Sequence, residues 1–543
     1  MKKKLLALFA LALSVSVTQA QTIDLSHSEE VPFEHFWSVG CGAGRANEGL
    51  RADWLEHLEA AHADCGFQYV RMHGLFHDDM HVCHVNKKSG AITYSWQYID
   101  VLFDRMLEIG VRPFVELSFF PSAITTPDSR KQFWWKGNVT VTPDTFEAWG
   151  DLVEEFTQHV VDRYGLHEVQ SWYFEVWNEP NLAGFFEGTK SDYFHLYKVS
   201  AEAIKGVDES LRVGGPSTSN FTADSRYHPE IADMKLSKFY PADTINEQQW
   251  EGAWIEDFLS YCAGENLPVD FISTHPYPTD YALDPEEGRG RSATRYIHST
   301  RDDVQWLNDC LAKSKYPDAE IHLTEWSTSP SSRDAMHDEL PPAAFIIKTN
   351  LECVGMTNSL MYWTFTDVFE EQGGGATIFH GGFGMINLQG IVKPSYHAYR
   401  MLNSLGDKMI YNTDPLCVTR NSDSGKIVAL AYNYPDEYIT RVPAANTATS
   451  YMERSSARQM DITLEGLAPN ATVMIETLDN ENGNVMYTFR QMGKPHSPTR
   501  EQIKMLRGAA WATKKEYVKA DEKGNLTIKG ELAPWACLLI TEL

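Results

Sequence analysis

Residues 172–181 read WYFEVWNEPN: an apolar run of strand length that breaks into Asn178, Glu179, Pro180 and Asn181. Aromatic and β-branched residues in a short run, closed by a proline, point to a β-strand whose C-terminal end carries polar side chains. Seven further runs of this kind are found along the chain: FWSVGC from Phe36, FQYVRMH from Phe67, RPFVELS from Arg112, RVGGP from Arg212, DFISTH from Asp270, EIHLTEW from Glu320 and SLMYWTF from Ser359. Between them lie amphipathic segments with apolar residues at helical spacing, such as WQYIDVLFDRMLEIG from Trp96 and FEAWGDLVEEFTQHVVDRYG from Phe146. Strand and helix alternating eight times predict an α/β fold, a (β/α)8 TIM barrel. After about Leu405 the texture changes to short alternating runs, KIVALAYNY, MDITLEGL, TVMIETLD, LTIKGEL and WACLLITEL, broken by turn residues, which predicts a C-terminal β-sandwich.

The domain plan is therefore a leader at 1–20, an N-terminal segment at 21–34 that adds a strand to the sandwich, a barrel at 35–404 and a β-sandwich at 405–543. The leader, MKKKLLALFALALSVSVTQA, sets three lysines before an apolar stretch too short to span a bilayer and ends on Thr18-Gln19-Ala20, the pattern of a cleavable signal peptide. Export to a periplasm or beyond is the expectation, with no membrane span in the mature chain. The 47 basic residues against 74 acidic ones give a net charge of -27, and loss of Lys2, Lys3 and Lys4 makes it more negative. Such a surface repels nucleic acid and anionic membranes and suits a neutral or cationic partner. The eight cysteines (41, 65, 83, 262, 310, 353, 417, 537) show no CxxC spacing or close pair and read as small buried hydrophobes rather than a disulfide framework or zinc site.

A barrel of this kind carries its chemistry at the C-terminal ends of its strands. Arg71-Met72-His73 ends the second run, Asn178-Glu179 the fourth, His275-Pro276-Tyr277 the sixth and Thr324-Glu325-Trp326 the seventh, while the eighth leads into Asp367, Glu370 and Glu371. Strand alternation puts Glu175, Trp177 and Glu179 on one face, Arg71 with His73, and Glu325 with Leu323 and Ile321. Glu175 then lies a layer below Glu179 and needs a cation. Arg71 is the candidate, and it serves either Glu175 or Glu325. Two carboxylates, Glu179 after strand four and Glu325 on strand seven, stand three places apart in a ring of eight, which allows the separation of about 5 Å that covalent glycosidic cleavage uses. A single glutamate at a strand end more often caps a helix or meets a surface lysine, so the pairing carries the argument. No nucleophile-elbow motif or clustered metal-ligand spacing is found.

WNEPN (Trp177 to Asn181) and LTEW (Leu323 to Trp326) resemble the acid/base and nucleophile motifs of the large clan of (β/α)8 glycosidases. Together with VRMHGLFHDDM (Val70 to Met80), ELSFFPSA (Glu116 to Ala123), FWWKGNVT (Phe133 to Thr140), HPYP (His275 to Pro278) and YWTFTDVFEE (Tyr362 to Glu371), the set resembles glycoside hydrolase family 39, which holds β-xylosidases and α-L-iduronidases. The resemblance implies that Glu179 is the general acid/base and Glu325 the nucleophile, with Asn178 on the sugar 2-hydroxyl. It further implies that His73 and His275 line the first sugar subsite, Tyr277 lies near the nucleophile, Trp326 and Trp363 are aromatic walls, Glu371 or Glu370 holds sugar hydroxyls, and Phe120 and Trp135 belong to the pocket rim. Each has a plainer alternative, the histidines as hydrogen-bonded core groups and Trp363 as packing.

The reaction implied is double displacement with retained configuration, needing no cofactor and no metal. A carbohydrate is the expected partner, β-xylosides first, because the strong negative charge disfavours the polyanionic chains an α-L-iduronidase meets. A β-glucosidase, β-galactosidase or α-L-arabinopyranosidase-like activity is the nearest alternative, and a non-catalytic carbohydrate-binding protein the alternative from another class, against which the intact pair Glu179 and Glu325 argues. Hydrolysis is not separable from transglycosylation at this level, and the sequence leaves a homo-oligomer open.

Overall fold

The computed structural model describes residues 20–132, 136–222, 230, 247, 249–283, 290–371, 373–443 and 455–543. Eight parallel strands close into a barrel in chain order: Gly40–Arg45, Tyr69–His73, Arg112–Leu117, Tyr173–Val176, Arg212–Ser219, Phe271–His275, Glu320–Trp326 and Ser359–Tyr362. All eight overlap the runs read as strands, the first only at Gly40 and Cys41. The first does not start at Phe36: Phe36–Ser38 is a 3-10 turn and the strand is the glycine-rich GCGAGR that follows. Glycine is a weak strand former, but a Cβ on Gly42 would sit 2.1 Å from the Trp363 ring, and one on Gly44 within 2.2 Å of Glu48 and Phe369. The space those side chains would fill belongs to Trp363 and Phe369 after the eighth strand and to Glu48 after the first.

The helices owe their limits to local chemistry. Gln97–Ile109 stops at Gly110, whose φ of 99° is open to glycine, and it buries Ile99, Leu102, Phe103 and Met106 against the strands. Each such side chain contributes about 1.5–3 kcal/mol when fully buried. Pro143–Tyr164 begins three residues before the apolar periodicity does, because Thr142 caps it and Pro143 fits the first turn. At the bottom of the lumen Tyr69, Phe114, Tyr173, Phe271 and Met361 form an aromatic plug, with Phe114 stacked on Tyr173 at 4.8 Å. The charged residues lie above it.

The C-terminal part is a sandwich of two sheets. One has seven strands in the order Val31–Pro32, Lys408–Thr413, Leu416–Arg420, Ile427–Tyr432, Cys537–Glu542, Thr472–Leu478 and Lys514–Lys519; the other has Gln21–Asp24, Arg458–Glu465 and Asn525–Leu532. The segment before the barrel thus supplies a strand to each sheet. Ile23, Val418, Ala429, Ile462, Leu464, Val473, Leu526 and Ile540 make the core between them. Two helices, Val485–Gln491 and Arg500–Ala510, interrupt the strands and were not anticipated by the alternating pattern. They turn towards the barrel: Phe489 meets Phe379 at 4.9 Å, and His397 Nε2 lies 2.7 Å from the Ala510 carbonyl. All eight cysteines are free thiols, seven of them buried.

Candidate active site

The second, third, fourth and seventh strands each send one charged side chain into the lumen at the same level. Arg71, wholly buried, is the centre of this layer. Its Nε donates to Glu175 Oε2 at 2.5 Å, one terminal nitrogen donates to Glu325 Oε1 at 2.7 Å, and the other reaches Glu116 Oε2 at 2.9 Å, Asn178 Oδ1 at 2.9 Å and Ser217 Oγ at 3.0 Å. The two roles weighed for Arg71 are therefore both filled by one guanidinium, whose five donors in a planar fork can serve several acceptors at once. Burial opposes the charge, but Glu116, Glu175 and Glu325 outweigh it and hold Arg71 cationic. His73 Nδ1 lies 2.7 Å from Glu116 Oε2; burial works against a charged ring there, and Glu116 reverses the balance to raise its pKa.

Glu325, at the end of the seventh strand, accepts from Arg71 on one oxygen and from the Tyr277 hydroxyl, 3.1 Å away, on the other. Burial raises its pKa, His275 and Arg71 pull it back, and Glu179 adds to the rise. Glu179 is differently placed. Among the described residues its one titratable neighbour in hydrogen-bond range is His275, whose Nδ1 is 2.9 Å from Oε1. Burial pushes the Glu179 carboxyl up to about 7, against the Ser219 hydroxyl and the charges of His73 and Arg71. Burial likewise pushes His275 down to about 4, leaving it neutral. Glu179, His275 and Glu325 offer atoms within 4.8 Å of one another. That spacing is close enough for a cation, but the Arg71 guanidinium already sits on Glu325 and repels a second one. It is also the short separation of two carboxylates that a covalent glycosyl intermediate requires.

The chain leaves strand geometry after Val176. Trp177 and Glu179 have φ of 75° and 44°, unusual for side-chain-bearing residues, and Glu179 N–H donates to the Ser217 carbonyl at 2.8 Å. Alternation therefore does not carry from Glu175 to Glu179: Trp177 points out of the lumen onto Phe120, 4.3 Å away, and donates Nε1–H to the Phe185 carbonyl. Three expected contacts are corrected in the same way. Trp326, wholly buried, stacks on Phe345 at 5.0 Å and donates to Thr300, because the neighbour of an inward Glu325 faces the helix layer. Phe120 packs between Trp177 and Trp149 under the loop and is no rim residue; Phe119 is the ring near His73, at 6.3 Å. Glu370 is 46% exposed and held by Arg45 and Arg51, so Glu371, buried and pushed up to about 7 by that burial, is the carboxyl that faces the pair. Trp135 lies outside the described residues.

The remaining residues converge. Trp363 lies 4.7 Å from the His73 ring and forms with Tyr277, Phe369 and Phe383 an aromatic wall. Asn178 accepts from Arg71 through Oδ1 while its buried Nδ2 has no partner among the described residues. Glu116, Ser217, Thr324 and the Phe369–Phe383 pair were missed by the sequence reading. Glu116 had a signal, an acid at the end of the third strand. Phe383 had none, since it arrives from a loop.

A closed (β/α)8 barrel with two buried carboxylates on strands four and seven, one ion-paired and one not, defines a glycoside hydrolase. The sequence matches the pattern of Glycosyl hydrolases family 39 over residues 22–527, and the chain belongs to that family. It is 36% identical over 500 residues to a β-xylosidase of Caldicellulosiruptor saccharolyticus, covering 92% of this chain and 93% of that one. A β-xylosidase of Geobacillus stearothermophilus is 32% identical, with 88% and 86% covered. Among solved structures, a monomeric β-xylosidase of Caulobacter crescentus CB15 superposes with a TM-score of 0.81 at 30% identity, covering 96% of this chain and 99% of that one.

Proposed function

We propose that the protein is a retaining β-xylosidase, with Glu325 as nucleophile and Glu179 as general acid/base. The observation that carries the assignment of roles is the asymmetry of the pair. Arg71 and Tyr277 favour ionised Glu325, as a nucleophile needs, whereas Glu179 is buried without a direct cation and keeps its proton, as an acid needs. Ionised Glu325 attacks the anomeric carbon while Glu179 protonates the departing oxygen; Glu179 then takes a proton from water as that water releases the sugar with retained configuration. Arg71 and His73 against Glu116, Glu175 and Glu325 leave the site with one net negative charge, which stabilises an oxocarbenium-like transition state. The unpartnered Asn178 Nδ2 is the donor for the 2-hydroxyl.

A neutral pentose fits better than a uronic acid. Arg71 is committed to five acceptors, and Arg333, behind Glu371, donates to the carbonyls of Ser332, Glu371 and Gly373, so neither cation is offered to a substrate carboxylate. Turnover of an aryl β-D-xyloside tests the reading. Glu325→Ala should lose nearly all activity, with azide restoring a product of inverted configuration. Glu179→Ala should lose about 10²–10⁴-fold on substrates with poor leaving groups. Wild-type protein that binds xylo-oligosaccharides without cleaving any glycoside would instead favour a binding protein.

Export completes the proposal. Cleavage after Ala20 would leave Gln21–Asp24 intact as the strand paired with Ile462–Glu465. The mature N-terminus, read by mass spectrometry of the exported protein, should be Gln21; a retained leader would refute export by this route.

A further inference from the structure

One chain of hydrogen bonds joins Glu175 to Glu179 beneath the sugar site through Thr324 and His275, and the protons of Thr324 and Glu175 set its direction. Glu175 is ion-paired with Arg71 and can only accept. The Thr324 hydroxyl lies 2.8 Å from Glu175 Oε1, so its single proton is donated there. Thr324 Oγ1 is also 3.1 Å from His275 Nε2, and with its proton already given it must accept from that nitrogen. Ser217 Oγ, 3.4 Å from the same Nε2, accepts from Arg71 and keeps a proton of its own, so it does not distinguish the tautomers; the nearer oxygen, that of Thr324, does. His275 therefore carries its proton on Nε2, and a neutral imidazole with that tautomer has a bare Nδ1. That bare nitrogen is the atom 2.9 Å from Glu179 Oε1.

We propose that Thr324 is a positioning residue that locks the tautomer of His275, so that its unprotonated Nδ1 accepts from Glu179 and holds the acid/base in its proton-carrying form. The inference rests on the assignment of Glu179 as acid/base. Before glycosyl transfer the Glu179 O–H donates to Nδ1, which keeps the carboxyl protonated, and that one proton leaves this contact for the leaving oxygen as the glycosidic bond breaks. Once the proton has gone to the leaving oxygen, a carboxylate faces a lone pair at hydrogen-bond distance, which raises its appetite for a proton from water. The same contact thus keeps the acid populated at neutral pH and strengthens the base of the second half-reaction. The opposite tautomer, with Nδ1–H donating to Glu179, would stabilise the ionised form, lower the pKa of Glu179 and deplete the protonated acid at neutral pH.

The other charges around this contact come from four strands. Glu325 Oε2 is 3.7 Å from Nδ1, Arg71 and His73 approach from the second strand, Glu116 from the third and Glu175 from the fourth. Of these, Glu325 by its nearness to Nδ1 favours a proton there, and the Thr324 oxygen at 3.1 Å from Nε2, with no proton left to give, opposes it. The position of Glu179 near 7 and of His275 near 4 accords with a protonated acid against a neutral ring.

The test is Thr324→Val, nearly isosteric and unable to accept, with Thr324→Ser as the rescue, read by kcat/KM against pH. On xylobiose, a poor leaving group, Thr324→Val should move the alkaline limb down by about one pH unit, with a roughly tenfold loss at neutral pH. On 2,4-dinitrophenyl β-xyloside, whose departure needs no acid, kcat/KM should change much less, and Thr324→Ser should return the limb on xylobiose to the wild-type position. A Thr324→Val limb that stays in place, or equal losses on both substrates, overturns the tautomer lock while leaving the acid/base assignment standing. If Thr324→Val fails to fold, the same comparison on Thr324→Ala decides, by the same two outcomes. Glu179→Ala losing equally on the two substrates would mean that the acid/base assignment itself has failed, and the inference with it.

Discussion

A buried carboxyl with a raised pKa is a stability cost as well as a catalytic asset, and Glu179 illustrates both. Its ordinary value is 4.5 and in the folded protein it titrates at about 7. A group raised in this direction contributes stability that is full below pH about 4.5 and is lost as pH rises through 7, because the folded site resists the charge that the unfolded chain accepts freely. Glu179→Gln, neutral at every pH, should therefore gain in melting temperature over the wild type as pH goes from 5 to 8, measured by calorimetry. A difference that does not grow with pH would show that the site tolerates the ionised carboxylate. Catalysis follows the same titration: kcat/KM on poor leaving groups should fall above about pH 7 as Glu179 loses its proton.

Individual strands and loops show why some site residues were legible and others were not. Glu325, Arg71 and His73 sit within strands, where alternation assigns the face. The same rule, applied one residue further, places Trp326 in the helix layer rather than on the sugar. The fourth strand ends at Val176, and its left-handed residues reset the direction of everything after it, so Trp177 could not be placed by counting. The first strand teaches the converse. Its glycines hide it from strand propensity because the Trp363 ring occupies the place of a side chain. Gly42→Ala should push that ring into the sugar site, at a cost of about 1–3 kcal/mol in stability. Xyloside turnover should fall by a larger factor than the melting point suggests; unchanged kcat/KM in a folded Gly42→Ala would mean that Trp363 can move without consequence.

At the level of the whole molecule, barrel and sandwich share more than a linker. Arg400 on a barrel helix pairs with Glu476 of the sandwich at 2.6 Å, Lys348 pairs with Asp414, and Phe489, on a helix inserted between the sandwich strands, packs on Phe379 within the barrel's hydrophobic cluster. The N-terminal segment, which precedes the barrel in sequence, belongs to both sheets of the sandwich. The chain should consequently unfold in a single calorimetric transition, and a chain stopped at Ser404 should expose Phe379, Tyr396 and Leu402 and fail to fold in soluble form. Two separable transitions would show the barrel to be independent. The periodic pattern by itself determined the barrel and the sandwich, and strand-end polarity together with the motif resemblance pointed to the two glutamates, because period and strand-end polarity are local properties that survive in one dimension. Only the tertiary structure decided that one arginine serves Glu116, Glu175 and Glu325 together, that Glu371 rather than Glu370 faces the site, and that Thr324 governs the proton of His275. Those are contacts between strands far apart in the chain, and no spacing along a sequence encodes which of several nearby acceptors a buried donor will reach.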